Sequence, residues 1–263
     1  MKVSIIGAGN MGGAIACGLA ASGRFGAGEI ICSNPSAGKL ERLRERYGII
    51  DVTADNREAA ARADVVIIAV KPWYAEAVVR EIGEVFDPAR QMLVSVAAGV
   101  SAAQLAEWTG HEAESPAVFQ VIPNTAASIG KSMTFISAAN ADEGQVATVK
   151  SLFDTIGATM VVDEKMLETG MILASCGIAF ALRYVRAAAE GGVELSCTAS
   201  QATEIVARTM IGAGELLLHG GTHPEQEIDR VTTAGGITIR GLNEMEHAGF
   251  TSAVIRGLKA CKR

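Results

Sequence analysis

Apolar runs of strand length alternate with stretches of helical spacing over residues 1–160, and this alternation restricts the chain to one class of fold. Several of the runs are apolar at consecutive positions, as expected of strands that are covered on both faces. The pattern predicts an open parallel sheet with helices on both of its faces. The strand-like runs are KVSIIGA, EIICSN, DVVIIAV, QMLVSVA, AVFQVI and SMTFIS, and the helical stretches are MGGAIACGLAAS, AGKLERLRERY, NREAAARA, WYAEAVVREI and SAAQLAEW.

After the segment ATMVVDE, every stretch longer than a turn has helical spacing. The chain is therefore predicted to form an α/β domain over residues 1–162 and an all-α domain over residues 163–263. In the second domain we predict a long helix from about Lys165 to Ala189 that ends at Gly191-Gly192, a helix after Ser196, and shorter ones after Thr222 and Gly236, the last interrupted near Gly249.

Charge and hydropathy exclude some partners. The formal net charge is −6, so no basic surface indicates a nucleic acid or an anionic membrane as a partner. The stretch GMILASCGIAFAL (170–182) is shorter than the ~20 apolar residues of a membrane span and is followed by Arg183, which predicts a buried core helix. The apolar stripes of the helical half favour a homodimer or a larger assembly; in the alternative, they cover the first domain.

Cysteine and histidine usage indicates neither disulfides nor a metal. Five scattered cysteines without a CxxC pair predict reduced thiols: Cys17, Cys32, Cys176, Cys197 and Cys261. His219 and His223 have i,i+4 spacing, but the two glycines between them predict a helix end rather than a zinc site, so no metal is expected. No targeting signal precedes the first apolar run, which predicts a cytoplasmic protein.

A glycine-rich turn, Gly7-Ala8-Gly9-Asn10-Met11-Gly12, follows the first predicted strand and opens the first predicted helix. A dinucleotide fingerprint requires this placement, because its glycines allow a tight turn, close approach of a pyrophosphate and close packing of helix on strand. The helix N-terminus then offers N–H donors to the phosphates. The turn predicts a Rossmann-like dinucleotide-binding domain, and the whole chain an α/β domain followed by an all-α helical dimerisation domain.

The end of the second predicted strand bears on which dinucleotide is bound. An NAD site places a carboxylate there for the ribose 2′-hydroxyl, whereas this chain has Ser33 and Asn34, followed by Ser36 and Lys39. These groups would accept a 2′-phosphate, so NADP(H) is the preferred cofactor and NAD(H) the alternative. A simpler interpretation, that the segment is a turn that caps the next helix, is compatible with either cofactor.

Two further loops follow strand-like runs, at the edge where ligands bind in open α/β sheets. They are Ala69-Val70-Lys71-Pro72 and Ser95-Val96-Ala97-Ala98-Gly99. The small residues of the second loop would let a flat nicotinamide ring come close. Lys71 is a candidate for proton transfer, although a lysine at a strand end more often contacts solvent or a ribose.

Several segments together resemble the pyrroline-5-carboxylate reductase family: IIGAGNMGGAI, ADVVIIAVKP, LVSVAAGV, IPNTAASIGKSMT and DRVTTAGGITIRGLNEMEHAGF. The resemblance implies reduction of 1-pyrroline-5-carboxylate to L-proline by NAD(P)H. It also implies a Rossmann domain and a helical dimerisation domain, often assembled into decamers, with the site between the cofactor domain and the helices of the dimer.

The resemblance also implies site residues. Matching motifs place cofactor contacts at Gly7 to Gly12, Ser33, Asn34, Asn56, Val70, Lys71, Pro72, Ala97 and Ala98. They place substrate contacts at Gly235, Gly236, Ile237 and Thr238, with Glu164 a further candidate; as an ordinary alternative, Glu164 is a first-turn carboxylate that the helix dipole favours.

This chain departs from the family at two turns. Ala234 and Ile178 stand where relatives commonly have proline, which predicts less rigid turns or a less kinked first helix. The departures leave open a relative that acts on another cyclic imine, such as a six-membered one, or on a small hydroxy or keto acid.

Imine reduction explains the second glycine turn. Consecutive N–H groups of Gly235-Gly236 at a helix start can hold a substrate carboxylate, and Thr238 can place its hydroxyl, as the catalytic group, near the ring nitrogen. In the alternative, Thr238 is a helix cap. Two competing functions remain: another NADP-linked dehydrogenase, which would need a catalytic lysine such as Lys165, and a non-enzymatic NADP sensor, which would not need the second turn.

Overall fold

The computed structural model describes residues 1–111 and 115–262, and the chain divides into two compact units, Met1–Ser175 and Cys176–Arg263. The predicted domain boundary at residue 163 lies earlier in the chain than this division. The residues between the two points form the helix Glu164–Gly170, which packs against the sheet of the first unit, and most of the π-helical turn Met171–Cys176. A Cβ on Gly170 would lie 2.6 Å from the Phe135 ring, so this packing is close.

The first unit is built on a sheet whose eight described strands have the order β3-β2-β1-β4-β5-β6-β7-β8. The first six strands of the chain pair in parallel, as the βα alternation predicts. The strands are β1 Val3–Ile6, β2 Ile30–Ser33, β3 Ile50–Thr53, β4 Val65–Ile68, β5 Met92–Ser95, β6 Ala117–Ile122, β7 Ser132–Ala139 and β8 Gly157–Val161.

One strand pair departs from the predicted parallel sheet, because β6 and β7 are antiparallel. Only residues 123–131 connect them, with the short 3₁₀ helix Thr125–Ile129 inside this link. A parallel pair needs a crossover of a dozen or more residues, so the length of the link decides the direction of β7. Strand β8 follows the helix Glu143–Asp154 and pairs in parallel with β7.

Helices cover both faces of the sheet, and the strand residues are divided between them. Ile5 packs into one apolar cluster with Phe119 and Phe153, whereas Ile6 packs into the other with Leu93. This division explains why the strands are apolar at consecutive positions. The helices of the first unit are α1 Asn10–Ala21, α2 Ala37–Arg46, α3 Asn56–Ala61, α4 Pro72–Gly83, α5 Ala102–Trp108, α6 Glu143–Asp154 and α7 Glu164–Gly170.

The second unit is helical, as predicted, and a π-helical turn, Met171–Cys176, leads into it. The break near Gly249 is confirmed, since this residue has a φ of 83° between the last two helices. A helix end between His219 and His223 is confirmed as well. The helices are α8 Gly177–Glu194, α9 Ala199–Gly220, α10 Pro224–Val231, α11 Ile237–His247 and α12 Phe250–Ala260.

The predicted helix end at Gly191-Gly192 is wrong, because α8 continues through both glycines to Glu194. A Cβ on Gly192 would lie 2.8 Å from the Cβ of Ala202 in α9. The glycine therefore allows two helices to approach each other closely, and the intrahelical bonds of α8 outweigh its low helix propensity.

The predicted burial of the apolar stretch 170–182 is also wrong within a single chain. Among the described residues, the helical run Glu164–Glu194 is the one stretch long and apolar enough to cross a membrane. Its most apolar 18 residues have a mean hydropathy of 1.4, and 6% of them are buried. Leu173 and Leu182 are 57% and 62% exposed. Apolar side chains on this scale need a surface outside the single chain to cover them.

All five cysteines are free thiols, as expected. Cys32 is fully buried in β2, and burial raises the pKa of its thiol to about 12. Burial and the neighbouring Cys261 raise the pKa of Cys176 as well. Both thiols therefore stay protonated at neutral pH.

Candidate active site

The turn between β1 and α1 can be formed only by glycine at its first position. Gly7 has a φ of +104°, and a Cβ there would lie 2.8 Å from Cγ1 of Val70 and 2.9 Å from the carbonyl of Ala69. The N–H of Gly7 donates to the carbonyl of Ser33 at 2.9 Å. Gly7, which follows β1, therefore lies between the ends of β2 and β4, next to the start of α1.

The other two glycines of the motif have different surroundings. A Cβ on Gly12 would overlap the carbonyl oxygen of Gly7, so this glycine lets α1 lie directly against the turn. A Cβ on Gly9 would meet nothing within 4 Å, so the backbone at Gly9 is open to a ligand. No side chain caps α1, which leaves its first N–H groups as donors for an anion.

These features border a cleft with a volume of about 900 Å³ at the carboxyl ends of the central strands. The loops after β1, β2, β4 and β5 all contribute, as expected of a site at the switch point of an open α/β sheet. Eleven residues predicted to contact the cofactor line it: Gly7, Gly9, Asn10, Met11, Asn34, Asn56, Val70, Lys71, Pro72, Ala97 and Ala98.

Three other predicted cofactor residues do not line the cleft but support its floor. The side chain of Ala8 is 4% exposed and belongs to the core, and Gly12 packs against the turn. Ser33 is fully buried. The sequence pattern identified the correct loops, whereas packing decides which residue of each loop faces the ligand.

A chain of hydrogen bonds ties the floor to the wall of the cleft. The hydroxyl of Ser33 donates to Oδ1 of Asn56 at 2.8 Å, and Nδ2 of Asn56 donates to Oε2 of Glu81 at 2.8 Å. The two bonds fix the orientation of the Asn56 amide. Glu81 lies on α4 and was not identified from the sequence, since nothing local to that residue indicates its partner.

The charges that line the cleft are positive. Lys39 and Lys71 are the charged residues among the described residues of its lining, and no Asp or Glu of the described chain belongs to it. Lys71 is exposed at the N-cap of α4, where its side chain makes no capping bond. This balance favours a ligand with several negative charges.

Several lining residues were not predicted. Tyr74, Ala77 and Val78 come from the first two turns of α4, Ala54 comes from a loop, and Thr125 comes from the start of the 3₁₀ helix Thr125–Ile129. The i, i+3, i+4 spacing of the three α4 residues places them on one face of the helix. That spacing is visible in the sequence, but it does not tell which face of α4 borders the cleft.

The second glycine turn lies in the second unit and opens a helix, as predicted. Gly235 has a φ of +69°, and the N–H of Gly236 donates to the carbonyl of Thr233 at 2.9 Å. Gly236 is the N-cap of α11, and no side chain caps this helix. The first N–H groups of α11 are therefore donors available for an anion.

Thr238 does not cap α11, because Gly236 occupies the cap position. Its side chain is exposed, and its hydroxyl makes no hydrogen bond within the described part of the chain. The alternative interpretation of Thr238 as a helix cap is thus wrong, and its hydroxyl is free to bind a ligand. Ala234 and Ile237 are exposed beside it.

Glu164 lies in the first turn of α7, in the first unit, and is exposed. This position confirms the interpretation of Glu164 as a first-turn carboxylate, which the positive end of the helix dipole favours. The cleft belongs to the first unit and the Gly235–Thr238 turn to the second.

Two family models match the chain. The model described as pyrroline-5-carboxylate reductase dimerisation matches residues 164–263, and the model described as NADP oxidoreductase coenzyme F420-dependent matches residues 2–99. The second match covers the glycine turn and the loops after β2, β4 and β5, and the first covers every helix of the second unit.

Curated relatives are similar in sequence over nearly the whole of this chain. Pyrroline-5-carboxylate reductase 2 of Dictyostelium discoideum is 33% identical, over 98% of this chain and 89% of the relative. The Escherichia coli (strain K12) pyrroline-5-carboxylate reductase is 32% identical, over 99% and 95%. Pyrroline-5-carboxylate reductase 1 of Dictyostelium discoideum is 35% identical over 97% of this chain, which spans 48% of that longer protein.

Solved structures agree in fold. A pyrroline-5-carboxylate reductase from Coxiella burnetii superposes with a TM-score of 0.87 at 28% identity, covering 99% of this chain and 95% of that one. The Plasmodium falciparum pyrroline carboxylate reductase with NADP bound has a TM-score of 0.88 at 23% identity, with the same coverage, and is similar in fold.

Proposed function

Because this chain belongs to the pyrroline-5-carboxylate reductase family, it reduces 1-pyrroline-5-carboxylate to L-proline, and we propose that it does so with NADPH bound in the cleft of the first unit. The observation that carries the function is sequence identity. The chain is 32% to 33% identical to reductases from two distant organisms, over about nine-tenths or more of each relative. The catalytic machinery that such a reaction needs is small, since the cofactor supplies the hydride to the imine carbon.

The cleft fits a nicotinamide dinucleotide. The backbone at Gly9 is open and the N-terminus of α1 is uncapped, so a pyrophosphate can accept hydrogen bonds there. Ala97 and Ala98 line the cleft with small side chains, against which the nicotinamide ring can pack. The proposed cofactor contacts are the eleven lining residues predicted from the sequence, with Ala8, Gly12 and Ser33 supporting them from below.

NADP(H) is the preferred cofactor and NAD(H) the weaker alternative. The end of β2 carries Asn34 in the lining, with Lys39 beyond it, and no described carboxylate borders the cleft. An ammonium and an amide favour a 2′-phosphate, whereas an NAD site uses a carboxylate to hold the 2′-hydroxyl.

The substrate turn supplies the remaining groups. The N–H groups of Ile237 and Thr238 hold the carboxylate of the imine, since they open α11 without a capping side chain, and Gly236 shapes the turn before them by donating its own N–H to Thr233. The hydroxyl of Thr238 donates a hydrogen bond to the ring nitrogen and so stabilises the electron density that the nitrogen gains. Glu164 and Gly235 complete the proposed substrate contacts.

The second unit takes part in assembly. Residues 164–263 match a dimerisation family, so the chain forms a homo-oligomer, and we propose a homodimer through the C-terminal helices that assembles further, up to a decamer. The functional division proposed from the sequence is kept: residues 1–162 bind the cofactor, and residues 163–263 dimerise and bind the substrate. A cytoplasmic location is proposed from the acidic net charge and the biosynthetic role.

The function is tested by following NADPH absorbance with 1-pyrroline-5-carboxylate as substrate. Parallel reactions contain the six-membered cyclic imine carboxylate, a set of 2-keto and 3-keto acids, or NADH or reduced coenzyme F420 in place of NADPH. We expect the five-membered imine to give the highest kcat/KM and NADPH to exceed NADH. Faster turnover of a keto acid would contradict the proposed function, and faster turnover with NADH or F420 the proposed cofactor.

A second candidate is a reductase that prefers a larger cyclic imine. Ala234 and Ile178 occupy positions where relatives commonly have proline, and the π-helical turn Met171–Cys176 lies directly before Gly177-Ile178. Ala234 directly precedes the proposed substrate turn, and neither Ala234 nor Ile178 lines the cofactor cleft. The same set of reactions distinguishes the two candidates by the ratio of kcat/KM for the two ring sizes.

A further inference from the structure

One end of the cofactor cleft is apolar and contains an aromatic ring. Tyr74, Ala77 and Val78 line it from α4, Ala54 lines it from the loop between β3 and α3, and Asn56 lines it from the start of α3. The Asn56 amide is already held by Ser33 and Glu81. The two walls therefore offer mainly apolar contact and little that would bind a phosphate.

The position of this end within the cleft indicates what occupies it. A dinucleotide places its pyrophosphate at Gly9 and the start of α1, and its ribose at the end of β2, where Asn34 and Lys39 lie. Continuing in the same direction, toward β3, leads to the space beside Ala54 and Tyr74. The group that follows the ribose in NADPH is the adenine ring.

The ring of Tyr74 is free to stack on a base. Its side chain is 58% exposed, although aromatic side chains are usually covered. The neighbouring Trp73 ring is tilted by 57° with its centroid 6.0 Å away, so the two rings do not stack face to face. Ala54 and Ala77, which line the cleft with Tyr74, have small side chains.

We propose that Tyr74 is a cofactor-binding residue that stacks on the adenine of NADPH, in a pocket formed with Ala54, Ala77 and Val78. The inference rests on the proposed function only in taking a dinucleotide as the ligand. Because NADPH and NADH share the adenine, Tyr74 contributes to the affinity for both, whereas the residues at the end of β2 distinguish between them.

The test measures binding of adenosine 2′,5′-bisphosphate, which contains the adenosine half of NADPH and no nicotinamide. The full-length protein and three variants are titrated by calorimetry: Tyr74→Ala, Tyr74→Phe and Trp73→Ala. Loss of the ring in Tyr74→Ala should raise Kd about tenfold, since stacking on an aromatic side chain contributes on this scale. Tyr74→Phe keeps the ring and should bind within about twofold of the wild type.

Trp73→Ala is the matched control, because Trp73 is the adjacent residue of α4, is 70% exposed and does not line the cleft. Its Kd should equal that of the wild type. Wild-type affinity in Tyr74→Ala, or an equal loss in Trp73→Ala, would overturn the proposal.

Turnover provides a second readout. In Tyr74→Ala, KM should rise by similar factors for NADPH and NADH while KM for the imine stays constant. Reduced nicotinamide mononucleotide, which has no adenine, should serve the variant and the wild type equally well. A loss with this truncated donor as large as that with NADPH would contradict the stacking role. Should the wild type not reduce the imine, the proposed function fails, and the titration still decides the role of Tyr74.

Discussion

The two units of this chain differ in whether they complete a hydrophobic core by themselves. In the first unit, the strands β1, β2, β4 and β5 are buried along their whole length. In the second unit, the three helices α10, α11 and α12 contain no buried residue among those described. The first unit thus completes its own core, whereas the helices of the second unit, which matches a dimerisation family, leave apolar side chains exposed for contact with another copy.

The same difference is visible in the two glycine turns. The first turn lies inside the packed unit, where neighbouring backbone leaves no space for a Cβ at Gly7 or Gly12. The second turn is exposed, and a Cβ on Gly235 would meet nothing within 4 Å. In the first turn the neighbours that exclude a Cβ include β4-end residues distant in sequence, whereas in the second they are local, since a Cβ on Gly236 would lie 2.5 Å from Oγ1 of Thr233. The predictions below test this division between the units.

The largest effect is expected from a charge on the exposed apolar surface of α9. Ile211 is 65% exposed, and Ile211→Glu should yield a folded chain that fails to dimerise and has lost nearly all activity, because a buried interface cannot accept an unpaired carboxylate. Light scattering measures the mass. Ile129→Glu is the control, since Ile129 is 73% exposed in the first unit and should leave the oligomer intact.

Thr238→Ala separates substrate binding from cofactor binding. Loss of one hydrogen bond to the ring nitrogen, about 1–3 kcal/mol, should lower kcat/KM for the imine by roughly 5- to 150-fold. The Kd for NADPH should stay unchanged, and Thr238→Ser should restore most of the activity. A variant with full activity would remove Thr238 from the mechanism.

Gly12→Ala should destabilise the first unit through packing alone, since the backbone angles of Gly12 lie within helix α1. Its Cβ would overlap the Gly7 carbonyl, so we expect a loss of about 1–3 kcal/mol in the free energy of unfolding and weaker NADPH binding. Gly13→Ala is the matched control, because its Cβ would lie 3.9 Å from the carbonyl of Ala8 and cause no overlap. Urea denaturation of both variants measures the difference.

Lys39→Ala should reduce discrimination between the cofactors. Removing an exposed ammonium beside the 2′-phosphate should lower kcat/KM for NADPH by roughly fivefold, corresponding to about 1 kcal/mol, and leave that for NADH almost unchanged. An equal loss for both cofactors would mean that Lys39 contacts a group common to them.

Two adjacent glycines of α8 test the packing within the second unit. Gly192→Ala forces its Cβ to within 2.8 Å of Ala202, whereas Gly191→Ala meets nothing within 4 Å. In helix interiors alanine is favoured by up to about 1 kcal/mol, so Gly191→Ala should be neutral or stabilising. We expect the two variants to differ by about 1–2 kcal/mol in thermal or urea unfolding, and equal stabilities would show that α8 and α9 can separate without cost.

Much of the first unit was predictable because its signals are local. The periodicity of apolar residues and the turn residues identified six strands, five helices and the glycine turn. The order of these elements in the chain placed the loops at one edge of the sheet. The strands β3 and β8 and helix α6 were not among the predicted elements. Strand β3 has the sequence IDVT, in which a charged residue interrupts the apolar run.

The sequence by itself determined the class of fold, the place of the cofactor turn and the family, since each depends on residues close together in the chain or on ordered motifs. Tertiary structure alone decided that Ser33 supports Asn56 from below, that α8 runs through Gly191-Gly192, and that Tyr74 faces the cleft. These outcomes depend on residues distant in sequence, which compete for the same space and the same hydrogen-bonding groups. A local sequence pattern cannot predict these contacts, because only the packed fold brings the residues together.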